Sequence, residues 1–578
     1  MGLNILRSIL ACFAIYQIAS GSSLNYTFEQ NVTSHTGYKG AVSSESEVCS
    51  HAGTAMMLQG GNAADSIVAT ALCVGVVGLY NSGIHGGGFA LIRLPNNTYS
   101  MIDFREQAPG SASENMFVDN PWGSMIGANA SAVPGQLRGL DHILRKYGTK
   151  DWPTVTKPAI EVAEKGFLFG HDIQFLIDWT KENMKPTDNV TNFWFEDPAW
   201  TPDFAPKGIP LHQNDTIKRL RYARTLKKIS ETNTTDFYEG DIAKSMVKTI
   251  KDAGGNLTMK DLKDYSIVER KPRQIEYRGY NVTSTVAPSS GTVVLNILGV
   301  LNHYDDFFKN STHLSTHRMV EAMKFGYAYR NSFGDPKFTP NITTLESTML
   351  SAKRTKLIRD NISDNSAHCN VSVYNPDHKY TPQSVGTSHM VSADKSGLTI
   401  SLTTTVNLPF GSQIMDPKTG IVMNSQMDVT DFSTPNTTNE KGFIANPNNF
   451  IAPRKRPLSS IAPVIVTRPD GTVAYVTGAA GGSHIPSAVL QSVIYALDQN
   501  LSPKDALAGP RLHNQLSPNF VEAPHAYNNE TVYYLQEKEH SVERLDIQSW
   551  AQAISRAQDG KFTAASEPFQ EQSDAFAI

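Results

Sequence analysis

A chain of 578 residues is too long for one small core and has room for about two to four domains or one unusually large one. Its 40% hydrophobic and 18% charged residues suit a soluble globular protein. A formal net charge of -4 gives no electrostatic case for binding nucleic acid or an anionic membrane.

The chain opens with Arg7, an apolar run of about ten residues and then Ala19-Ser20-Gly21, the layout of a secretory signal. The run is shorter than the ~20 residues a spanning helix needs, so residues 1–21 are taken as a cleaved signal, with an uncleaved anchor as the alternative. Sixteen Asn-x-Ser/Thr sequons agree with export: Asn25, Asn31, Asn96, Asn129, Asn189, Asn214, Asn233, Asn256, Asn281, Asn310, Asn341, Asn361, Asn370, Asn436, Asn500 and Asn529. A secreted, extracellular glycoprotein is the expected product.

From Glu45 to Leu79 the sequence predicts two Ala-rich helices broken at Gln59-Gly60-Gly61-Asn62. Cys49 and Cys73 fall one on each and are the expected disulfide, while Cys369, in a polar sequon-rich segment, is expected to stay unpaired. No Cys/His cluster has zinc-ligand spacing, so no metal is expected. A glycine loop at Ile84–Gly88 leads into strands at Phe89–Leu94 and Thr98–Arg105, a hairpin across Pro95-Asn96-Asn97. Helical patterns dominate from Pro134 to Phe325, and Asp335–Val385 reads as loop or linker. Ser388–Ala393 and Leu398–Thr405 form a second hairpin, Ala462–Thr477 a third, and Ser487–Gln499 a helix. Strands framed by helices suggest stacked sheets between helical layers.

Thr387 opens the second hairpin directly after Gly386. A threonine hydroxyl needs an adjacent base to act as a nucleophile. Cleavage of the Gly386–Thr387 bond would supply one, an α-amino group with a pKa near 8. From pattern alone, Thr387 reads as a β-branched residue opening a strand, and the nucleophile reading is the minor one. His389, two residues on, shares its face of the strand but lies beyond bonding distance, and is read as structural.

Resemblance now adds to this reading. Gly386-Thr387-Ser388-His389 followed by Thr405-Val406-Asn407-Leu408-Pro409-Phe410-Gly411-Ser412 resembles the small-subunit start of γ-glutamyltransferases (γ-glutamyltranspeptidases, glutathione hydrolases). Pro453–Ser460, Gly478-Ala479-Ala480-Gly481-Gly482 and Gly509–Gln515 are similar to that family's later signatures. Gly60–Asp65, Gly83–Gly88, Asp103-Phe104-Arg105-Glu106, Pro288-Ser289-Ser290-Gly291 and His317–Ala322 extend the resemblance through the first part of the chain.

The resemblance implies an α+β fold, the four-layer α-β-β-α sandwich of N-terminal-nucleophile hydrolases. It implies self-cleavage into a large subunit, 22–386, and a small catalytic subunit, 387–578, a heterodimer from one precursor. Thr387 would be the nucleophile, Thr405 its hydroxyl neighbour and Asn407 part of the same pocket. Arg105, Ser459 and Ser460 would hold the α-carboxylate of the γ-glutamyl group, and Gln426 and Asp431 its α-amino group. Gly481 and Gly482 would be the oxyanion donors. The donors would be glutathione and other γ-glutamyl compounds, the acceptors water, amino acids or dipeptides, with no cofactor.

Physical chemistry supports these roles. A guanidinium binds a carboxylate through two parallel hydrogen bonds, a carboxylate pairs with an ammonium, and successive glycines let backbone N–H groups approach an oxyanion. Read without the resemblance, Arg105-Glu106 would be a surface ion pair, Ser459-Ser460 a helix cap and Gly481-Gly482 a turn. Two departures from the family pattern stand out. Val429-Thr430 separates Met427-Asp428 from Asp431-Phe432, leaving Asp428 as an alternative ligand for the ammonium, and Pro409 replaces an aromatic residue. Two other functions compete: a secreted glycoprotein of the same fold weakened by the Val429-Thr430 insertion, and an acylase acting on another amide, expected to lack the clamp of Arg105, Ser459 and Ser460.

Overall fold

The structure, a computed structural model, describes residues 35–184, 192–368, 370–377, 379–380, 386–435, 444–546 and 549–578. The predicted signal, Asn25, Asn31, Asn189, Asn436 and Cys369 lie outside the described residues.

Two antiparallel seven-stranded sheets form the centre. Their strands are β1 (His35–Gly37), β2 (Gly40–Ser44), β3 (Gly87–Arg93), β4 (Tyr99–Asp103), β5 (Val268–Arg270), β6 (Arg273–Tyr277), β7 (Tyr280–Ser284), β8 (Ser388–Asp394), β9 (Thr399–Thr405), β10 (Val464–Thr467), β11 (Val473–Ala480), β12 (Trp550–Arg556), β13 (Phe562–Ala565) and β14 (Asp574–Ala577). The first sheet runs β14-β2-β8-β9-β3-β4-β5 and the second β1-β13-β12-β11-β10-β7-β6. Both mix strands from before and after Gly386.

Strand alternation builds the layers. Leu91, Val391 and Ala393 of the first sheet meet Ile465, Val476 and Ile554 of the second in one buried cluster between the sheets. The opposite side of the first sheet, with Ala90, Ile92, Met390, Ile400 and Leu402, packs on helices α1 (Glu47–Leu58), α2 (Ala63–Val77), α3 (Gln136–Tyr147), α4 (Trp152–Lys165) and α5 (Leu220–Thr232). The outer side of the second sheet packs on α6 (Gly291–Leu301), α7 (Thr312–Arg330) and α8 (Ile485–Leu497). The expected α-β-β-α sandwich is the observed fold.

The break between α1 and α2 falls where the glycines and Asn62 predict it. Asn62 caps α2 by accepting from Ala64 N and Asp65 N, while Asp65 accepts from Asn62 N. A Cys49–Cys73 disulfide joins the two helices. The three predicted hairpins are β3–β4, β8–β9 and β10–β11.

Two stretches differ from the sequence expectation. Residues 268–284, within the predicted helical region, form β5–β7; the β6–β7 turn uses Arg278 and Gly279 at φ of 53° and 81°, and arginine carries no turn signal. Within the predicted loop lie helices Ile342–Met349 and Ala352–Asn361, the second capped by Ser351, whose side chain accepts from Arg354 N. Their polar faces hide the helical period. Of the described sequon asparagines Asn281 is half-buried and the others are exposed. Among the described residues no helix is long and apolar enough to cross a membrane.

Candidate active site

The site forms where the central hairpin meets the edge of its sheet. Ser388 pairs with Thr404, so Thr387 and Thr405 stand one residue further out. Beyond Thr405 the chain reverses through Asn407, Phe410 and Gly411, at φ of 75°, 62° and 56°. Thr405 Oγ1 accepts from Asn407 N at 2.7 Å, and the Phe410 ring is held by Trp194 and Trp200 at centroid distances of 5.0 and 6.0 Å. The reversal presses on Gly386, where a Cβ would lie 1.7 Å from Asn407 O and φ is +91°. Only glycine fits. The Thr387 hydroxyl donates to the Gly386 carbonyl oxygen, so it lies against the carbonyl of the bond expected to be cut.

Below Thr387 the strand is pinned on both faces. Ser388 Oγ donates to Glu45 Oε1 at 2.7 Å, and burial pushes the Glu45 carboxyl up to about 8. His389 lies between the sheets, its Nδ1 2.8 Å from Thr403 Oγ1 and its ring where a Cβ on Gly478 would stand. Burial lowers its pKa to about 3, so it is neutral and bonded within the sheet. This agrees with the structural reading of His389.

One small cavity gathers Thr387 with Thr405, Asn407, Arg105, Asp431, Ser459, Ser460 and Gly482. Arg105 is 2% exposed. Its Nη1 donates to Gln426 Oε1 at 2.9 Å; its Nη2 donates to Asp431 Oδ2 at 2.7 Å and to the Leu458 carbonyl at 3.1 Å. Gln426 also donates to Asp431. Glu106 lies beside them, 3.6 Å from Arg105, fully buried, and burial raises its pKa to about 7. Arg105-Glu106 is therefore an interior pair, unlike the surface pair its composition suggests.

The insertion is absorbed as a single turn. Asp431 N and Phe432 N both donate to the Asp428 carbonyl at 3.0 and 2.9 Å, and Phe432 is buried beside Ala108, Met427 and Ile451. Asp428 faces the scaffold instead: Asn407 Nδ2 donates to it at 2.9 Å and Thr430 N at 2.8 Å. Burial, with Asp431 nearby, raises its pKa to about 7. Of the two aspartates, Asp431 is the one at Arg105 and in the cavity.

Ser459 and Ser460 sit on a segment without regular secondary structure before β10 and cap no helix. Gly481 and Gly482, at φ of 117° and 57°, turn the chain from β11 into α8. Of the ten predicted catalytic and donor-binding residues the cavity gathers eight; Gln426 stands outside its lining bonded to Arg105, and Gly481 outside it next to Gly482. Among the described residues no hydrogen bond joins Thr405 to Thr387, and the Asn407 amide is engaged by Ser425 O and Asp428. Sequence reasoning gave no role to Arg330 and Ser290, which bond to the segment carrying Ser459 and Ser460. Arg330 ends a helix, where a basic residue reads as a dipole partner.

Behind the glycine turn, ligand atoms of His484, His513 and Glu522 lie within 4.8 Å of one another, the one group among the described residues with metal-binding side chains so close. They already have hydrogen-bond partners. His484 Nε2 is 2.8 Å from Glu522 Oε2, and His513 contacts Ser487 Oγ and Gln515 Oε1 at 2.8 and 3.0 Å.

Comparison with known proteins places this geometry. Residues 49–577 match the model of the gamma-glutamyltranspeptidase family. The chain is 43% identical over 577 residues to the glutathione hydrolase proenzyme of Arthroderma benhamiae, covering 97% of each chain. It is 41% identical to the glutathione hydrolase of Aspergillus flavus over 98% of this chain and 93% of that one. In fold it is similar to the cephalosporin acylase of Bacillus halodurans, with a TM-score of 0.80 at 23% identity over 96% of this chain and 99% of that one. A threonine at a glycine-constrained junction, a buried guanidinium clamp and a match along nearly the whole chain agree: this chain belongs to the gamma-glutamyltranspeptidase family.

Proposed function

We propose that the chain is a secreted precursor that cuts itself before Thr387 and then transfers γ-glutamyl groups from glutathione and related donors. The observation that carries this reading is the single cavity shared by the Thr387 hydroxyl, the Arg105–Asp431 clamp and Gly482. In the first step Thr387 Oγ attacks the Gly386 carbonyl carbon. The C–N bond breaks, and the hydroxyl proton passes to the departing amine. Water then hydrolyses the resulting ester, leaving a Gly386 carboxylate and a free Thr387 amine.

That amine is the base for the second reaction. It takes the hydroxyl proton as Oγ attacks the γ-carbonyl of the donor, and returns a proton to the leaving amine. For glutathione the leaving group is Cys-Gly. The γ-glutamyl ester is resolved by water, or by the amino group of an amino acid or dipeptide. Arg105 with Ser459 and Ser460 would hold the α-carboxylate, and Asp431 with Gln426 the α-ammonium. The N–H groups of Gly481 and Gly482 would receive the oxyanion, each donor contributing about 3–4 kcal/mol in comparable acyl transfers.

Two alternatives fare less well. The Val429-Thr430 insertion returns Asp431 to Arg105, which speaks against a site disabled by it. The clamp of Arg105, Ser459 and Ser460 in the cavity speaks against an acylase without an amino-acid subsite.

The deciding experiment is substitution of Thr387. Thr387→Ala should remain one chain without activity on a γ-glutamyl anilide. Thr387→Ser keeps a hydroxyl and should still cut, more slowly, yielding a fragment that begins at residue 387. If Thr387→Ala is cut at the same bond and remains active, the mechanism is wrong. For the compartment, the N-terminal layout and the exposed sequons support export. Material recovered from the medium should begin near Ser22 and lose mass on enzymatic deglycosylation. Secreted protein that starts at Met1 and shows no mass shift rules this out.

A further inference from the structure

Helix α7 ends at Arg330, whose side chain is buried at 4% exposure and has no carboxylate at ion-pair distance among the described residues. Its hydrogen bonds go to hydroxyls. Nε donates to Ser290 Oγ at 3.1 Å and an Nη donates to Ser460 Oγ at 2.8 Å. Ser290 Oγ donates in turn to the Ser459 carbonyl at 2.6 Å, and Ile461 N donates to Ser459 Oγ at 3.2 Å.

These bonds fix the direction of two protons. A hydroxyl has one proton and two lone pairs, and arginine has no lone pair to offer. Ser460 Oγ must therefore accept from Arg330, which leaves its proton to point away from the guanidinium. Ser459 Oγ likewise accepts from a backbone N–H and keeps its own proton to give. Both serines line the cavity that holds Thr387. Two hydroxyls set as donors, with a cation behind one of them, suit an anionic ligand group and disfavour a neutral or cationic one. A buried cation with Asp431 acting on it only at a distance, and no carboxylate in direct contact among the described residues, is also costly to fold, and an incoming carboxylate offsets that cost.

We propose that Arg330 is a positioning residue that holds Ser460 as a hydrogen-bond donor and so makes this end of the cavity select a donor substrate with a free α-carboxylate. The proposal rests on the reading of the cavity as a γ-glutamyl site, with Ser460 touching the substrate and Arg330 acting through it.

The test compares kcat/KM for a γ-glutamyl anilide with that for its α-carboxamide, in which a neutral amide replaces the carboxylate. Wild-type protein that is cut yet inactive on the anilide overturns the underlying reading and this proposal with it. With wild-type activity in hand, Arg330→Met should reduce the preference for the carboxylate by about tenfold or more, chiefly through KM of the anilide. Arg330→Lys should recover part of it, since an ammonium still donates to Ser460. Equal losses on both donors mean a structural role and overturn the proposal, as does an unchanged preference. If Arg330→Met accumulates uncut, the Lys variant carries the test: it must lower the preference in the wild-type background and leave it unchanged in Ser460→Ala. Any other pattern overturns the proposal.

Discussion

Arg105 directs its donors to three acceptors at once: Gln426, Asp431 and the Leu458 carbonyl. A planar fork spreads these donors over two nitrogens, whereas the three N–H donors of Lys all radiate from one. A bound amino-acid group would take over some of these contacts, its carboxylate at the guanidinium and its ammonium at Asp431. Arg105→Lys keeps the charge and loses at least one charge-assisted bond, about 1.5–3 kcal/mol. We expect donor KM to rise roughly tenfold or more while self-cleavage continues, because the clamp lies outside the Gly386–Thr387 bond. An unchanged KM in a steady-state assay would mean that Arg105 does not touch the donor. Residue roles of this kind were only partly legible in the sequence. Arg105-Glu106 has the composition of a surface pair, and nothing local says that the loop after β4 is buried. Thr387 alone reads as a residue opening a strand, and it was the run of family motifs that singled it out. Arg330 gave no signal, since its partners Ser290 and Ser460 are distant in sequence and meet only in the folded chain.

At the scale of elements, legibility followed the strength of local turn chemistry. The β8–β9 hairpin carries Gly397 at φ of 91° and an Asp394 side chain accepting from Ser396 N at 2.8 Å, and β9 alternates Ile400 and Leu402 with Thr399, Ser401 and Thr403. The break between α1 and α2 has two glycines and a capping asparagine. By contrast β6–β7 turns through Arg278-Gly279, and half of β6 faces outward with polar side chains, so it blends into its helical surroundings. The α1–α2 pair also yields a prediction. The Cys49–Cys73 bond spans 24 residues of sequence. Constraining the unfolded chain over such a loop is worth about 3 kcal/mol in the chain-entropy account. Replacing both cysteines by alanine should lower Tm by several degrees. Activity at low temperature should survive, since these helices lie on the outer side of the first sheet and contribute nothing to the cavity. An identical Tm in calorimetry would show that the bond does not limit the unfolded chain.

At the scale of the whole molecule, each sheet takes strands from both sides of Gly386. The first places β8, β9 and β14 among β2–β5, and the second places β10–β13 among β1, β6 and β7. Cutting before Thr387 would leave these ladders intact, so the two proposed subunits are held by shared sheets over one core. Burial in that core also shapes the response to pH. His85, His389 and His513 are pushed down to about 3 and His540 to about 2, all chiefly by burial. The folded state refuses their protons, so they cost stability as pH falls below the ordinary histidine range. Glu45 is pushed up to about 8, and Glu106 and Asp428 to about 7, again chiefly by burial. For these the sign is opposite. Below about 4.5 a glutamate is protonated in both states and contributes nothing. As pH rises further the unfolded chain ionises first, so stability falls until the folded pKa is reached and is constant beyond it. The two sets oppose one another between pH 4.5 and 6.5, which hides either in the wild-type curve. Glu45→Gln isolates one. Its carbonyl can still accept from Ser388, and it carries no charge at any pH. The variant should match wild type in Tm near pH 4, gain on it progressively as pH rises, and hold a constant advantage above about pH 8. Calorimetry across that range measures the difference directly. Parallel curves would mean that Glu45 ionises as easily in the folded chain as in the unfolded one. A variant that falls progressively below wild type as pH rises above about 4.5 would mean that the Glu45 charge, against the direction given by burial, stabilises the fold.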